Sequence, residues 1–534
     1  MSPGLRMSLR VAWRRNRWFW VWWILGLSVL MPITSSQYDT LLPPGGDSAR
    51  VLATLAANPA MRAMLGPVYD LSTKGGFVFW RVGGFVTVMA ALMAGFAIIR
   101  ATRAEEEAGR LEMVRAAPVK PHEPFVAAVV VSLVGCVAAG ATNTVAIGVL
   151  GLPWAGCVAA GAAIACSGAL FVGIGALTAQ LFASARAARA WTLGAGLGGM
   201  YVLRAVIDGL PEDSMVAPLR WAIPLEWGML VRPFAGDRWW VLLLPVTSTV
   251  LVLAVAYRLE SIRDHGTGVR ASRPGPDTAA AGLAGAPGLA WRLHRTGVLG
   301  WAFGLLVAAV LFGSVGAQMD QLAGSNQSVL DVFERLGGSD AITTAFFTGM
   351  LSILVTIVAV MAVSILGRIQ AEEATGRAEL MLATATRRTA YAVSHLRLAI
   401  AAPALVLVAV GALLPSAKAV TDSRWEMIGD YALGAAGLLP GLVLVVGLAL
   451  LVIGWAPRLL PAVWAVLGWS VFTGWFAALF DLPDWLVDLQ PWGHLAFMPR
   501  DRMSWPPFLV ETGIAVVLIV LGLAGFRRRD ITSQ

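Results

Sequence analysis

Twelve continuously apolar stretches, each long enough to cross a bilayer, set the limits on what this chain can become. They lie near residues 18 to 35, 77 to 99, 125 to 150, 155 to 184, 190 to 210, 240 to 257, 298 to 317, 341 to 366, 391 to 415, 432 to 456, 459 to 480 and 508 to 526. Crossing roughly 30 Å of hydrocarbon takes about 20 residues of α-helix. A membrane β-barrel would show alternation over about ten residues per strand. These runs are instead unbroken Leu, Ala, Val and Gly, and the helix satisfies every backbone group inside its own segment. The expected fold is an all-α polytopic membrane protein of about 12 transmembrane helices, six in each half.

Composition agrees. The chain is 57% hydrophobic and 13% charged with a mean hydropathy of +0.72, whereas about a quarter of the residues of a soluble domain are charged. Arg10, Arg14, Arg15 and Arg17 precede the first run, and Ser35, Ser36 and Gln37 follow it without a clear cleavage site, so it is read as a retained helix. With a cytoplasmic N-terminus, Arg100 to Lys120, Arg186 and Arg189, Arg258 to Arg295, Arg368 to Arg388 and Arg527 to Arg529 all fall inside. This bias places both termini in the cytoplasm. It also accounts for the net charge of +8 through anionic headgroups, with no nucleic acid required. Cys136, Cys157 and Cys166 all lie within spans and are read as packing residues rather than disulfides or metal ligands. The dominance of Arg over Lys, with abundant Ala and Gly, points to a GC-rich bacterial genome.

A charged segment occurs twice, as Ala104 to Ala116 and Ala371 to Ala383. Seven of the thirteen positions agree at an offset of 267: Ala104/Ala371, Glu105/Glu372, Glu106/Glu373, Gly109/Gly376, Arg110/Arg377, Glu112/Glu379 and Ala116/Ala383. Chance would give about one. Each copy follows a long apolar run and would face the cytosol. At about 3.6 residues per turn, Glu105, Gly109 and Glu112 share one helical face, as do Glu372, Gly376 and Glu379. Two acids flanking a glycine suit the close approach of a partner's backbone and basic side chains.

The halves echo one another elsewhere: Leu210-Pro211-Glu212 with Leu482-Pro483-Asp484, Pro224 before Trp227-Gly228 with Pro491 before Trp492-Gly493, and Arg263-Asp264 with Arg529-Asp530. The chain divides into a six-helix half (1–264), a Gly, Pro and Ala-rich linker (265–290) and a second half (291–534). Three longer connections, about Ser36 to Gly76, Pro211 to Trp239 and Asp481 to Pro507, are expected outside. Trp221, Trp227, Trp239, Trp240, Trp485, Trp492 and Trp505, with Trp18, Trp20, Trp22 and Trp23 on the first helix, read as an interfacial belt. Gly194 and Gly198 favour close helix packing.

Ionisable residues inside a membrane are costly and mark function. The deep spans offer almost none: Arg204 and Asp208 form an expected local salt bridge, and His122, His265, His294, His395 and His494 are placed in loops or at helix ends. Asn143 and Gln180 are expected to bond between helices. No catalytic constellation emerges, and the chain is not expected to be an enzyme. It has no Gly-Lys pair with which to build a phosphate-binding loop.

The pattern Glu105-x-x-x-Gly109-x-x-Glu112 followed by Pro118, with Glu372-x-x-x-Gly376-x-x-Glu379, resembles the loop after the second helix in ATP-binding-cassette permeases of the type-2 exporter class. With the six-plus-six layout, the Ala185 to Arg189 turn and Leu482-Pro483-Asp484-Trp485, nearly the whole chain resembles actinobacterial polyketide-antibiotic exporter permeases of the tetronasin type. The resemblance implies that each segment is a coupling helix seated in a separate ATPase, two copies of which serve one permease chain. Glu105, Glu106, Gly109, Arg110, Glu112, Glu372, Glu373, Gly376, Arg377 and Glu379 would be the docking residues. ATP and magnesium would belong to that partner, with no cofactor in this chain. The cargo would be hydrophobic or amphiphilic small molecules leaving across a bacterial cytoplasmic membrane. Export of a lipid or envelope glycolipid is the alternative, and a gradient-driven secondary transporter the less favoured one. Pro118 is matched by Ala385, so the two docks need not be equal.

Overall fold

The computed structural model describes residues 1–36, 38, 59–210, 214–270, 277–278, 281–283, 285–317, 339–476 and 483–530. Described residues form helices and turns without strands. Among the described residues, eleven helices are long and apolar enough to span a membrane. In the first unit they are α1 (Pro3–Ser36), α2 (Lys74–Glu107), α3 (Glu123–Gly148), α4 (Trp154–Leu181), α5 (Ala185–Gly209) and α6 (Trp239–Ile262). In the second they are α7 (Ala286–Gly316), α8 (Thr343–Ala374), α9 (Arg388–Asp422), α10 (Glu426–Trp455) and, after the shorter described helix α11 (Leu460–Phe476), α12 (Trp505–Arg528). The expected eleventh span continues past Phe476 into residues outside the described set. Most of the first long connection and part of the Leu-Pro-acid echo lie there too.

Two compact units, Met1–Gly275 and Pro276–Gln534, divide the chain. Each is built around one inner helix. In the first, α4 packs against α2, α3 and α6, and α1 against α3. In the second, α10 packs against α8, α9 and α12, and α7 against α9. The inner position explains α4's composition: its buried residues include Gly156, Ala159, Ala160, Gly161, Ala163, Ser167, Gly168, Gly175 and Ala176. Lipid tails are as apolar as leucine, so helices associate through close van der Waals contact, which small residues permit. Outward faces carry the larger side chains, such as Val250, Leu251 and Val255 on α6 and Val516, Val517 and Val520 on α12, all exposed as a lipid-facing surface would be.

Close approach does not occur at Gly194 and Gly198. They lie in a π-helical stretch of α5, and a Cβ at Gly194 would meet nothing within 4 Å. Tight crossings instead include Gly140 of α3 against Gly161 of α4 and Gly454 of α10 against Gly522 of α12, where a Cβ added at Gly140 or Gly454 would strike the opposite carbonyl. The tryptophan belt is also narrower than expected. Trp18, Trp22, Trp239, Trp240, Trp485 and Trp505 are exposed, but Trp20 is buried against Gly135 of α3. Trp492 is buried against Gly441 and donates to the Leu438 carbonyl at 3.3 Å. A ring aimed into a packed neighbour cannot sit among headgroups. Asn143 donates within its own helix, to Ala139, whereas Gln180 accepts from Arg263 and ties α4 to the segment after α6.

Overpacking a tight crossing costs about 1–3 kcal/mol. Gly161→Val and Gly454→Val are expected to lower the thermal unfolding midpoint and the monodisperse yield in detergent, while Gly194→Ala leaves both unchanged. Equal behaviour of the three variants would contradict these crossings.

Candidate functional site

The duplicated segment begins inside α2 and α8 and turns at its glycine. Gly109 has φ 69° and ψ 0°, and Gly376 has φ 71° and ψ 0°. The left-handed region is open to glycine at little cost and closed to most side chains. A short helix then restarts, Arg110–Arg115 in the first copy and Arg377–Leu382 in the second. This corrects the shared-face reading, because Glu105, Gly109 and Glu112 do not lie on one continuous helix, nor do Glu372, Gly376 and Glu379. A Cβ at either glycine would meet nothing within 4 Å. Glycine is required for backbone conformation within the chain.

Four of the six repeated acids turn inward. Glu106 is buried and accepts from both terminal nitrogens of Arg263, at 2.7 and 2.6 Å, and from the backbone amide of Gly266 at 2.7 Å. Arg103 stands 3.2 Å from Glu106 and donates to the carbonyls of Ala179 and Thr267. In the second unit Glu373 is buried and accepts from Arg529 at 2.6 Å through each oxygen. Arg263 and Arg529 each lie immediately past the last helix of their unit, α6 or α12. The Arg-Asp echo thus has a structural role: each unit clamps its repeat to the end of its last helix.

Glu105 forms a bidentate pair with Arg110 at 3.0 Å and also meets Arg15 of α1. Glu372 pairs with Arg368 at 3.0 Å, and Arg377 stands farther off at 3.9 Å. The same acid is therefore held by different cations in the two units.

What remains outward is the restarted helix. Glu112 and Glu379 are exposed, each followed by an apolar side chain in the open: Met113 is 70% exposed and Leu380 74%. These two occupy the same register of the repeat. They differ in type, so a count of identical positions passes over them, whereas a comparison of hydropathy would have paired them.

Burial also revises the ionisable inventory of the spans. Arg204 and Asp208 are not a solvated pair: both are 2% exposed, and Glu226, wholly buried, joins them. His294 of α7 and His395 of α9 are buried inside their helices with ring nitrogens 3.1 Å apart, and the ring of Tyr391 lies 4.9 Å from that of His395. Glu511 of α12 is buried with Oε2 lacking a hydrogen-bond partner among the described residues. The histidines are 101 residues apart and only helix packing joins them.

A family model for the C-terminal domain of the multidrug efflux system permease Rv1217c matches residues 283–527. Over 531 residues the chain is 35% identical to the multidrug efflux system permease protein Rv1217c of Mycobacterium tuberculosis, covering 98% of this chain and 94% of that protein. The chain belongs to this family of multidrug efflux permeases. The permease is accordingly a multi-pass membrane protein whose two charged repeats adopt one backbone conformation while using different pairing partners.

Removing one member of a buried ion pair leaves the other unpaired, at a cost of about 3–5 kcal/mol. Glu106→Gln and Arg263→Gln are each expected to destabilise the permease, and the double variant to cost less than their sum by about 1–3 kcal/mol. Glu373 with Arg529 should show the same coupling. Additive losses in thermal unfolding would remove the clamp from the account.

Proposed function

We propose that the permease is the membrane-spanning subunit of an ATP-driven exporter, moving hydrophobic or amphiphilic small molecules such as antibiotics out of a bacterial cell through the cytoplasmic membrane. Two copies of a separate ATP-binding-cassette ATPase would hold the ATP and magnesium and grip the two repeats. The observation that carries this reading is the pair of protruding helices: Glu112-Met113 and Glu379-Leu380 stand exposed after glycines of nearly identical backbone angles. Two equivalent knobs fit two equivalent sockets. Each socket would offer an apolar recess with basic groups at its rim. The inward acids serve a second purpose, since a knob clamped to the last helix passes force into the bundle instead of bending.

Supporting this reading are the absence of a Gly-Lys pair in the chain and its likeness to a protein named as a drug efflux permease. The resemblance to tetronasin-type exporters would place polyketide antibiotics among the candidate cargoes, without singling one out. Both termini, with the repeats, would lie in the cytoplasm.

Burying a Met or Leu side chain contributes about 1.5–3 kcal/mol, and 1.4 kcal/mol is tenfold in affinity. Co-expression with an ATP-binding-cassette ATPase candidate from the same genome, followed by co-purification, should give two ATPase copies per permease. Met113→Ala with Leu380→Ala should weaken that association at least about tenfold, and Glu112→Arg with Glu379→Arg should abolish drug-stimulated hydrolysis while the permease still inserts. Undiminished nucleotide-driven export by the charge-reversed variant would refute the docking role.

A further inference from the structure

At the end of the first unit away from the repeat lies a buried cluster that the docking argument does not use. The ends of α2, α4 and α6 and the start of α5 meet around Glu106 and Glu107, through Arg103 to Ala179, Arg263 to Glu106, and the Ala185 amide to Glu107. The far end of α5 and the connection from Leu210 to Arg238 therefore lie at the opposite end of the bundle. There Arg204 Nε stands 3.1 Å from Asp208 Oδ2 and 3.3 Å from Glu226 Oε2. Arg204 also donates to the Met64 carbonyl at 3.2 Å, as Tyr201 does at 3.1 Å.

One guanidinium thus faces two carboxyl groups. Glu226 is 0% exposed and Asp208 2%. Both Glu226 oxygens and Asp208 Oδ1 are buried without a hydrogen-bond donor among the described residues. With both acids ionised the centre would carry an uncompensated negative charge out of contact with water, which proteins avoid by pairing or by neutralising the group.

Among the described residues no second cation pairs directly with these acids, although Arg220 and Arg62 stand near enough to favour their charged forms. From the segment before α2, the Tyr69 hydroxyl is buried without a hydrogen-bond partner, and Arg232 lies 4.0 Å over the Tyr69 ring. Arg62 of the short helix Pro59–Leu65 donates to the Leu210 carbonyl at 2.6 Å. Arg220 donates to Ala217. Arg81 of α2 is exposed, α4 contributes only Cys157 and Cys166 as titratable groups, and Asp237 and Arg238 stand beyond the loop, with Asp237 accepting from the Phe234 amide.

We propose that Arg204, Asp208 and Glu226 form a proton-binding site, in which the two carboxyl groups share one proton and thereby bring the centre to neutrality. Its ligand is the proton itself, the one cation that needs no cavity. By linkage, any step that lifts the Glu226 loop into water releases that proton, so the far end of the first unit is pH-sensitive whether or not an ATPase drives the chain. The site belongs to one unit. At the registers set by the Leu-Pro-acid echo and by Pro224 and Pro491, Arg204 corresponds to Phe476 and Glu226 to Gly493.

Burial pushes the Glu226 carboxyl up to about 8, with Asp208 adding to the rise and Arg204 and, more weakly, Arg220 opposing it. Between its ordinary 4.5 and about 8, the folded chain then holds a proton that the unfolded chain has lost. Stability contributed by this site consequently falls as pH rises through that window and levels off above about 8.

Infrared spectroscopy of the full-length permease in lipid nanodiscs, titrated from about pH 5 to 10, reads the protonated carboxyl stretch directly; the expected midpoint follows from the raised Glu226 value. Because Glu511 is another buried acid with an oxygen lacking a hydrogen-bond partner among the described residues, the Glu511→Gln chain is titrated as well. A deuterium-sensitive carboxylic acid band that survives in Glu511→Gln and titrates near pH 8 is the expected result. It should vanish in Glu226→Gln and in Asp208→Asn, in each of which Arg204 matches the one remaining carboxylate. The fall in unfolding temperature between about pH 5 and 8 should flatten in Glu226→Gln. Absence of the band at neutral pH in the wild type, or its complete loss in Glu511→Gln, overturns the proposal, and neither result depends on whether the cluster variants fold.

Discussion

Hydrocarbon satisfies no polar group, and the rest of this structure follows from that. Backbone amides and carbonyls must pair within their own helix, so the chain folds as long helices and uses its charged residues at their ends. Most charge that enters the packed interior comes in sets, Glu511 standing apart from them. Glu106 with Arg263 and Arg103, Glu373 with Arg529, and Arg204 with Asp208 and Glu226 each bring opposite charges within about 2.6 to 3.3 Å. An isolated ion in these positions would cost several kcal/mol.

The same solvent makes small residues the organisers of the core. Since lipid gives helices no hydrophobic reason to associate, contact must come from backbones that approach closely. Gly140 against Gly161 and Gly454 against Gly522 supply it, at crossings that involve α4 in one unit and α10 in the other. Around that shared plan the units differ in their polar content. In the second unit a His294–His395 contact joins α7 to α9, whereas Asn16 of α1 donates to Ala12 within its own helix. The three-residue charge centre likewise belongs to the first unit. Duplication explains the packing, and divergence explains the ionisable groups.

Much of the fold was legible in the sequence, because a span is a one-dimensional property: length and apolar content suffice. Eleven of the expected spans are present as such, and the start of α11 is in place. The site was legible only in part. Repetition found Glu105, Gly109, Glu112 and their counterparts, but helical periodicity assumed a continuous helix, and the left-handed glycines break it. Which acids face inward could not be read either, since Glu105, Glu106 and Glu107 are neighbours of one charge type and their fates depend on where Arg15 and Arg263 arrive.

By itself, then, the amino-acid order determined membrane class, the places of eleven spans and the existence of two repeated charged segments, all of which depend on local hydropathy and internal repetition. Tertiary structure alone decided that Glu106 and Glu373 are clamps while Met113 and Leu380 stand free at the surface. It also decided that Trp20 is core and not belt, and that Glu226 joins Arg204, 22 residues before it in sequence. The reason is physical: burial and ion pairing depend on which helix ends meet in space, and nothing in a linear pattern of apolar runs carries that distance.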